Sequence, residues 1–171
     1  DQRLLNNSVL RRYLDVPRLL SFLSNKSLYC CRADLFQDKF EGSFTPSVRD
    51  SIRESFRENH LNTTYENFKQ KLREGVFINC WSLGVDDNMA LWQRYGEAND
   101  CVAITTTVGR LKNELNKMEQ KSHISIQKVD YIRYWKDPKI DISPYSNIFR
   151  YKAVGFEFEK EVRVIFDKFD S

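Results

Sequence analysis

Apolar residues recur every three or four positions over much of the first half of the chain, a spacing typical of helices buried on one side. The first predicted helix runs from an Asp15 cap to about Lys26. Another helix follows a capping box formed by Thr63 and Glu66. The helix between these two carries apolar residues at four-residue spacing: Val48, Ile52 and Phe56.

The second half of the chain is dominated by β-prone runs. Four of them read "VFINCWS" (76–82), "DCVAITTT" (100–107), "ISIQKVDYI" (124–132) and "GFEFEKEVRVIF" (155–166). Short helices capped by Asp87 and by Thr107 separate the earlier runs. A helix-rich half followed by strands predicts an α+β fold with a mostly antiparallel sheet. We expect one domain over residues 1–171.

The closing run has an unusual charge pattern when it is read as a strand. Alternation places apolar and charged side chains on opposite faces. The charged face would carry Glu157, Glu159, Glu161 and Arg163. Two interpretations stay open: the face lies in solvent, or it belongs to a site that handles positive charge in a substrate or transition state.

Composition narrows the class of protein. Of the 171 residues, 41% are hydrophobic and 30% charged, as in soluble globular proteins. No apolar run is long enough to span a membrane, and the net charge of +3 comes without blocks of like charge. The four cysteines lack metal-binding spacing, so we expect reduced thiols, no metal and a cytoplasmic location.

Three short constellations could carry chemistry. Arg11 and Arg12 stand beside Tyr13 in "LRRYL", and a guanidinium suits phosphate or carboxylate. Ser82 ends the strand "NCWS" and could face a ligand, and Glu159 opens a Glu-x-Glu pair with Glu161. Solvated arginines and a simple turn serine are the alternatives. Both histidines, His60 and His123, fit surface positions.

Three blocks of the sequence resemble a bacterial family that is known as domain of unknown function (DUF) 2971. The blocks are "RRYLDVPRLLSFLSNKSLYCCRADLFQDKFEGSF", "FINCWSLGVDDNMALWQRYGEANDCVAI" and "YKAVGFEFEKEVRVIF". They cover about half of the chain, and their order and spacing extend along nearly all of it. The family resemblance implies no specific activity.

The order of Arg12, Ser82 and Glu159-x-Glu161 is similar to that of ADP-ribosyltransferases. Those enzymes carry an Arg or His on an early strand, a serine strand in mid-chain and a late Glu or Gln-x-Glu. The mid-chain motif here reads Cys80-Trp81-Ser82 instead of the usual Ser-Thr-Ser. The resemblance implies an ADP-ribosyltransferase-like fold and NAD as a substrate, in an enzyme of bacterial defence or toxin type.

The resemblance also implies roles for individual residues. Glu161 would stabilise the charge that develops on the ribose when the nicotinamide bond breaks, and Glu159 would orient the acceptor. The acceptor would be a protein or a nucleic acid. Ser82 would position the glutamate. Residues expected to bind NAD are Arg12, Tyr13, Trp81, Ser82, Trp92 and Tyr95.

Two other functions stay open. One is a non-catalytic protein-interaction or sensor module in a phage-defence system, with the loop "LFQDKFEGSF" presenting phenylalanines. The other is nucleic-acid binding or processing by a basic helix face that includes Arg49, Arg53 and Arg57. The sequence leaves the oligomeric state open.

Overall fold

A computed structural model describes residues 4–38, 40–95, 100–118 and 123–169. The α-helices are α1 (Val16–Asn25), α2 (Pro46–Glu58), α3 (Tyr65–Gly75), α4 (Met89–Tyr95) and α5 (Val108–Leu115). The strands are β1 (Val9–Asp15), β2 (Cys31–Arg32), β3 (Val76–Leu83), β4 (Cys101–Thr107), β5 (His123–Lys128), β6 (Asp130–Ile132), β7 (Tyr151–Ala153) and β8 (Glu161–Asp167).

The main sheet has the strand order β4-β1-β3-β8-β5. The short strand β2 also pairs with β3, at Phe77 and Ile78, whereas β1 pairs with the end of β3 at Ser82 and Leu83. Every pairing in this sheet is antiparallel. A separate parallel pair joins β6 to β7. The α+β class with a mostly antiparallel sheet is therefore confirmed. β3 and β8 are central, and every residue of β8 is buried.

The two faces of the sheet carry separate cores. On the front face, Ile78 and Ile165 pack with apolar residues of α2 and α3. On the back face, Trp81 and Val162 pack with α5. Ser82 pairs with Glu161, just as Ile78 pairs with Ile165. Ser82 is four residues from Ile78, and Glu161 is four residues from Ile165, so alternation places both polar residues on the front face.

Helix starts agree with the sequence predictions to within one residue. Asp15 caps α1 as predicted, accepting a hydrogen bond of 2.8 Å from the backbone N–H three residues later. Thr64, not Thr63, caps α3. Asn88, not Asp87, accepts from the first backbone N–H groups of α4. Neighbouring polar residues offer the same side-chain oxygen, and backbone direction selects between them.

The closing stretch departs most from its prediction. Residues Val154–Glu159 form a 3₁₀ helix, Lys160 takes a left-handed conformation with φ of 45°, and the strand begins only at Glu161. Hydrogen bonds from β3 to the carbonyls of Glu159 and Lys160 hold this turn. The sequence predicts one or two strands over 155–166. Residues 161–166 do lie in β8, whereas the strand reading of 155–160 is wrong, because those tertiary contacts override the local alternation.

Within the described ranges, none of the helices has the length and apolar character needed to cross a membrane. The four cysteines are free thiols, all half-buried.

Candidate active site

Five charged side chains that converge on the front face form what we call the charge cluster: Glu41, Lys152, Glu159, Glu161 and Arg163. Their side chains are only 1–9% exposed. Glu159 and Glu161 do not line a solvated face, so the solvent interpretation of these two acids is wrong. Glu159 and Glu161 are buried with two cations, whereas Glu157 is exposed.

Arg163 is the central cation of the cluster. Its Nε and Nη2 donate to the two oxygens of Glu161 at 2.8 and 3.0 Å, a bidentate pair. Nη2 also donates to Glu41 at 2.8 Å, and Nη1 to the carbonyl of Phe149 at 2.7 Å. The buried guanidinium is thus satisfied by two carboxylates and a backbone oxygen.

Lys152 is the second cation, and its Nζ contacts three carboxylates. The distances are 3.1 Å to Glu41, 2.6 Å to Glu159 and 3.0 Å to Glu161. An ammonium has three N–H donors, so each one has an acidic partner. The same ammonium lies 4.8 Å from the centroid of the Phe156 ring.

These surroundings shift the two glutamates of the Glu-x-Glu pair in opposite directions. Burial alone would raise the pKa of Glu161, but the charges of Arg163 and Lys152 outweigh burial and hold the pKa well below its usual range. Burial raises the pKa of Glu159, and Lys152 offsets only part of that effect. One acid stays ionised while its neighbour holds a proton more readily, a division typical of acid–base sites.

Three neighbouring strands place Arg11, Ser82 and Glu161 side by side, in what we call the three-strand row. Arg11 pairs with Ser82, and Ser82 pairs with Glu161. Two strand spacings separate the Cα atoms of Arg11 and Glu161, about 10 Å. Ser82 Oγ donates to the carbonyl of Glu159 at 2.8 Å. The row therefore places Arg11 on the same face of the sheet as the acidic pair.

Arg12 lies on the other side of the sheet. It pairs with Ile104, which packs against the back core, and its Nη2 donates to the carbonyl of Tyr29 at 3.4 Å. Burial lowers the pKa of Arg12. Among the described residues no hydrogen bond or ion pair joins Arg12 to Glu161, although the Arg12 guanidinium lies within electrostatic reach of Cys80 and Tyr95. A shift of one position along a strand changes the face, and Arg11 is the arginine that the pairing directs forward.

Arg11 is held by the loop that precedes α4. Its guanidinium pairs with Asp87, and Nη2 donates to the carbonyl of Val85 at 2.8 Å. Arg11 Nε is buried and has no hydrogen-bond partner among the described residues. The side chain is 14% exposed. It therefore keeps one unused donor in the row.

α4 covers the row from the front. Asn88 Nδ2 donates to the carbonyl of Phe158 at 2.6 Å, and Arg94 contacts Glu159 at 2.5 Å. The Trp92 ring meets the Tyr13 ring edge-on, with centroids 4.9 Å apart. Arg94 is 45% exposed, so the acidic pair approaches solvent at this rim.

The remaining residues expected to bind NAD divide between the two faces. Tyr13 is buried, and its hydroxyl accepts from the backbone N–H of Asn88 at 2.9 Å. Tyr95 ends α4 and is 41% exposed. Trp81 is buried on the back face and donates to Asn79 at 2.6 Å. Trp92 and Tyr95 thus lie on the helix that covers the row, whereas Trp81 does not reach it.

Sequence reasoning missed several members of this site. Arg11 was visible beside Arg12, and strand alternation counted from a known pairing would have selected it. Lys152 lies two residues before the 3₁₀ helix, and Glu41 lies far upstream in the sequence. Neither residue carries a local signal. Arg94 lies in a helix that the sequence predicts, but the sequence does not indicate that Glu159 is its ion-pair partner.

Two surface depressions in the described part of the chain lie outside this site. One, of about 300 Å³, runs between α2 and residues 142–145. The other, of about 640 Å³, lies at the turn between α2 and α3. Among the described residues, no group of three or more His, Cys, Asp or Glu side chains could hold a metal ion. The row is covered in this conformation.

The fold and site define an α+β protein with a mostly antiparallel sheet and a buried cluster of paired acids and bases. No protein-family model, curated protein or solved structure matches the chain. The resemblances drawn from sequence motifs stay predictions.

Proposed function

We propose that the chain is an NAD-using enzyme of the ADP-ribosyltransferase type that cleaves the bond between nicotinamide and ribose. The observation that carries this proposal is the three-strand row of Arg11, Ser82 and Glu161, with Glu159 fixed beside it. On one face, the row contains a guanidinium, a group that suits anions, and a carboxylate whose pKa Arg163 and Lys152 hold below its usual range against the effect of burial. A dinucleotide whose ribose becomes positively charged requires both groups.

Glu161 is the group that stabilises the reacting ribose. When the C1′–N bond breaks, its electron pair leaves with nicotinamide, and the ribose gains oxocarbenium character. A carboxylate that is already oriented and ionised stabilises that charge without reorganising. Arg163 and Lys152 keep Glu161 in this state, and Arg163 fixes both of its oxygens.

Glu159 is the general base that accepts the proton of the attacking oxygen. The oxygen of water or of an acceptor hydroxyl forms the new bond to C1′, and its proton passes to Glu159. Burial raises the pKa of Glu159, which suits a group that takes up and releases a proton. With water, the products are nicotinamide, ADP-ribose and one proton, which Glu159 takes up and then releases, so atoms and charge balance.

Arg11 is the group that holds a phosphate of the dinucleotide, in the role that the sequence assigned to Arg12. Its present partner is Asp87, which is 63% exposed, so an anion can replace that carboxylate without entering the core. The unpartnered Nε supplies a further donor. α4 covers the row, so binding of NAD requires this helix and its preceding loop to move.

The decisive experiment compares two adjacent arginines. We expect Arg11→Gln to raise the KM for NAD about 10- to 100-fold, because a charged hydrogen bond to phosphate contributes about 1.5–3 kcal/mol. Arg12→Gln is the matched control, since Arg12 faces away from the row, and its KM should stay near the wild-type value. Nicotinamide release is followed by chromatography, and thermal unfolding checks that both variants fold.

Three outcomes contradict the proposal: no nicotinamide release by the wild-type protein, an Arg12→Gln effect as large as that of Arg11→Gln, or full activity in Glu161→Gln. We expect Glu161→Gln to lower kcat about 10²- to 10³-fold. Labelled NAD with added protein or RNA then tests whether water or a macromolecule is the acceptor.

The interaction-module alternative has a weaker structural argument. Of the three phenylalanines in its loop, Phe44 is buried and Phe36 is half-buried in the front core. Phe40 is 72% exposed. A single exposed phenylalanine does not make the apolar surface that this alternative requires.

The nucleic-acid alternative depends on a basic face of α2. Arg53 contacts Glu66 at 2.8 Å, and Arg49 contacts Asp50 at 3.1 Å. These carboxylates reduce the positive field along the helix, so phosphate attraction is weaker than the arginine spacing suggested.

A further inference from the structure

We infer that Lys152 is a positioning residue for the acidic pair, holding Glu159 and Glu161 together and fixing the different charge states that their roles require. This inference rests on the proposed function. Lys152 Nζ contacts Glu159 at 2.6 Å and Glu161 at 3.0 Å, so one ammonium joins both acids. The resemblance to ADP-ribosyltransferases assigns nothing to this lysine.

The backbone around Lys152 fixes the position of its side chain. In the parallel pair of β6 and β7, Lys152 lies opposite Tyr131. The Tyr131 hydroxyl accepts a hydrogen bond of 2.8 Å from the backbone N–H of Glu161, so the same pair of strands also holds the start of β8. The lysine side chain is 7% exposed. It therefore has little room to move away from the acids.

The two glutamates of the pair are in contact with different sets of cations. Arg163 contacts Glu161 and Glu41, whereas the cations on Glu159 are Lys152 and Arg94. Removing the Lys152 charge leaves Glu161 with its bidentate Arg163, but leaves Glu159 only with the solvent-exposed Arg94. The loss should therefore act mainly on protonation of Glu159.

The first test is Lys152→Met, which keeps the length of the side chain and removes its charge. We expect the pKa of Glu159 to rise by about one unit or more, because a cation in hydrogen-bond contact is removed. Carboxyl NMR of ¹³C-labelled glutamate measures this change without NAD. Lys69→Met is the matched control, since Lys69 is half-buried and contacts Ser43 outside the cluster. It should leave the Glu159 titration unchanged.

The second test is the pH dependence of nicotinamide release. In Lys152→Met, the midpoint of the kcat profile that reports Glu159 should move upward with the NMR titration, while the KM for NAD changes little. A residue that only stabilises the fold would lower the melting temperature and leave this midpoint in place.

A double variant guards against loss of folding in the single variant. Lys152→Met/Glu41→Gln removes one acid together with the cation, so the net charge of the cluster is preserved. A smaller upward shift is expected in it, because loss of the Glu41 charge partly offsets loss of the cation. A Glu159 titration identical to wild type in folded Lys152→Met overturns the inference, as does a double variant in which that titration moves downward.

The outcomes separate this inference from the proposed function. If the NMR titration moves but the wild-type protein releases no nicotinamide, the proposed function fails and the link between Lys152 and Glu159 stands. If the wild-type protein is active and both pH profiles coincide, the enzyme stands and the role of Lys152 fails.

Discussion

At the scale of single residues, the buried guanidinium of Arg163 is the central group of the charge cluster. Its side chain is 1% exposed, and it contacts Glu161 and Glu41. A buried ion network contributes little net stability compared with apolar packing, but removing one partner leaves charges uncompensated in the core. Such a network is expected where the position of a charge is needed for chemistry.

The first stability prediction concerns this guanidinium. Arg163→Met should lower the free energy of unfolding by about 3–5 kcal/mol, because Glu161 and Glu41 lose their shared cation. Urea unfolding measures the change. Arg150→Met is the control: Arg150 and Asp130 are both 44% exposed, and such a surface pair contributes about 0–1 kcal/mol. Equal losses in the two variants would contradict the prediction.

At the scale of elements, α4 decides whether the three-strand row is open. The helix has seven residues and one buried residue, Leu91, so it depends on contacts at its ends. Asn88 both caps the helix and donates to the carbonyl of Phe158. Arg94 contacts Glu159 at the other end. These few contacts allow the helix to be released without unfolding the sheet.

The prediction at this scale is that Asn88→Ala loosens α4. Loss of the cap should cost about 1 kcal/mol, and hydrogen exchange of the α4 amides should become faster. Asp86→Ala is the control, because Asp86 is an exposed loop residue two positions before the cap, and it should stay within about 0.5 kcal/mol of wild type. Unchanged exchange in Asn88→Ala would show that α4 is held by other contacts.

At the scale of the whole molecule, the charge cluster joins segments that are far apart in sequence. Arg163 on β8 contacts Glu41 from the loop before α2, and Lys152 on β7 contacts the 3₁₀ helix through Glu159. Protonation of one acid therefore affects the packing of several elements. The stability of the fold should depend on pH through Glu161 and Glu159 with opposite signs.

The sign for each acid follows from its pKa in the folded protein. The pKa of Glu161 is lowered, so below about pH 4.3 the unfolded chain binds the proton first and stability is lost as the pH falls. The pKa of Glu159 is raised, so stability is lost as the pH rises from about 4.3 through that raised pKa.

We therefore expect Glu161→Gln to flatten the acid limb of the stability profile. Glu159→Gln should instead gain stability relative to wild type as the pH rises from 4 to 7. Urea unfolding across about pH 2.5 to 7.5 measures both profiles. Parallel profiles for the two variants would contradict the opposite signs.

Helix and strand positions were largely accessible from local pattern. Asp15 caps the first helix as predicted, and the run from 76 to 82 corresponds to β3. Apolar spacing and capping chemistry act within a few residues, so they can be read without knowing the fold. The same local rules predicted Asp87 as the cap of α4, whereas Asn88 is the residue whose side chain accepts the hydrogen bonds. Both side chains can cap a helix, so the backbone conformation determines which of the two does.

The amino-acid sequence alone determined the α+β class, the positions of most helices, the runs that form β3 and β4, and the presence of a paired acid motif with an early arginine, but not the strands β1 and β7. Tertiary structure decided that Arg11 rather than Arg12 shares the front face of the sheet with Glu161, because strand pairing fixes which face each side chain takes. It also decided that Glu159 and Glu161 are buried with Lys152 and Arg163. Burial and pairing of charges arise between distant segments, so no local pattern could specify them.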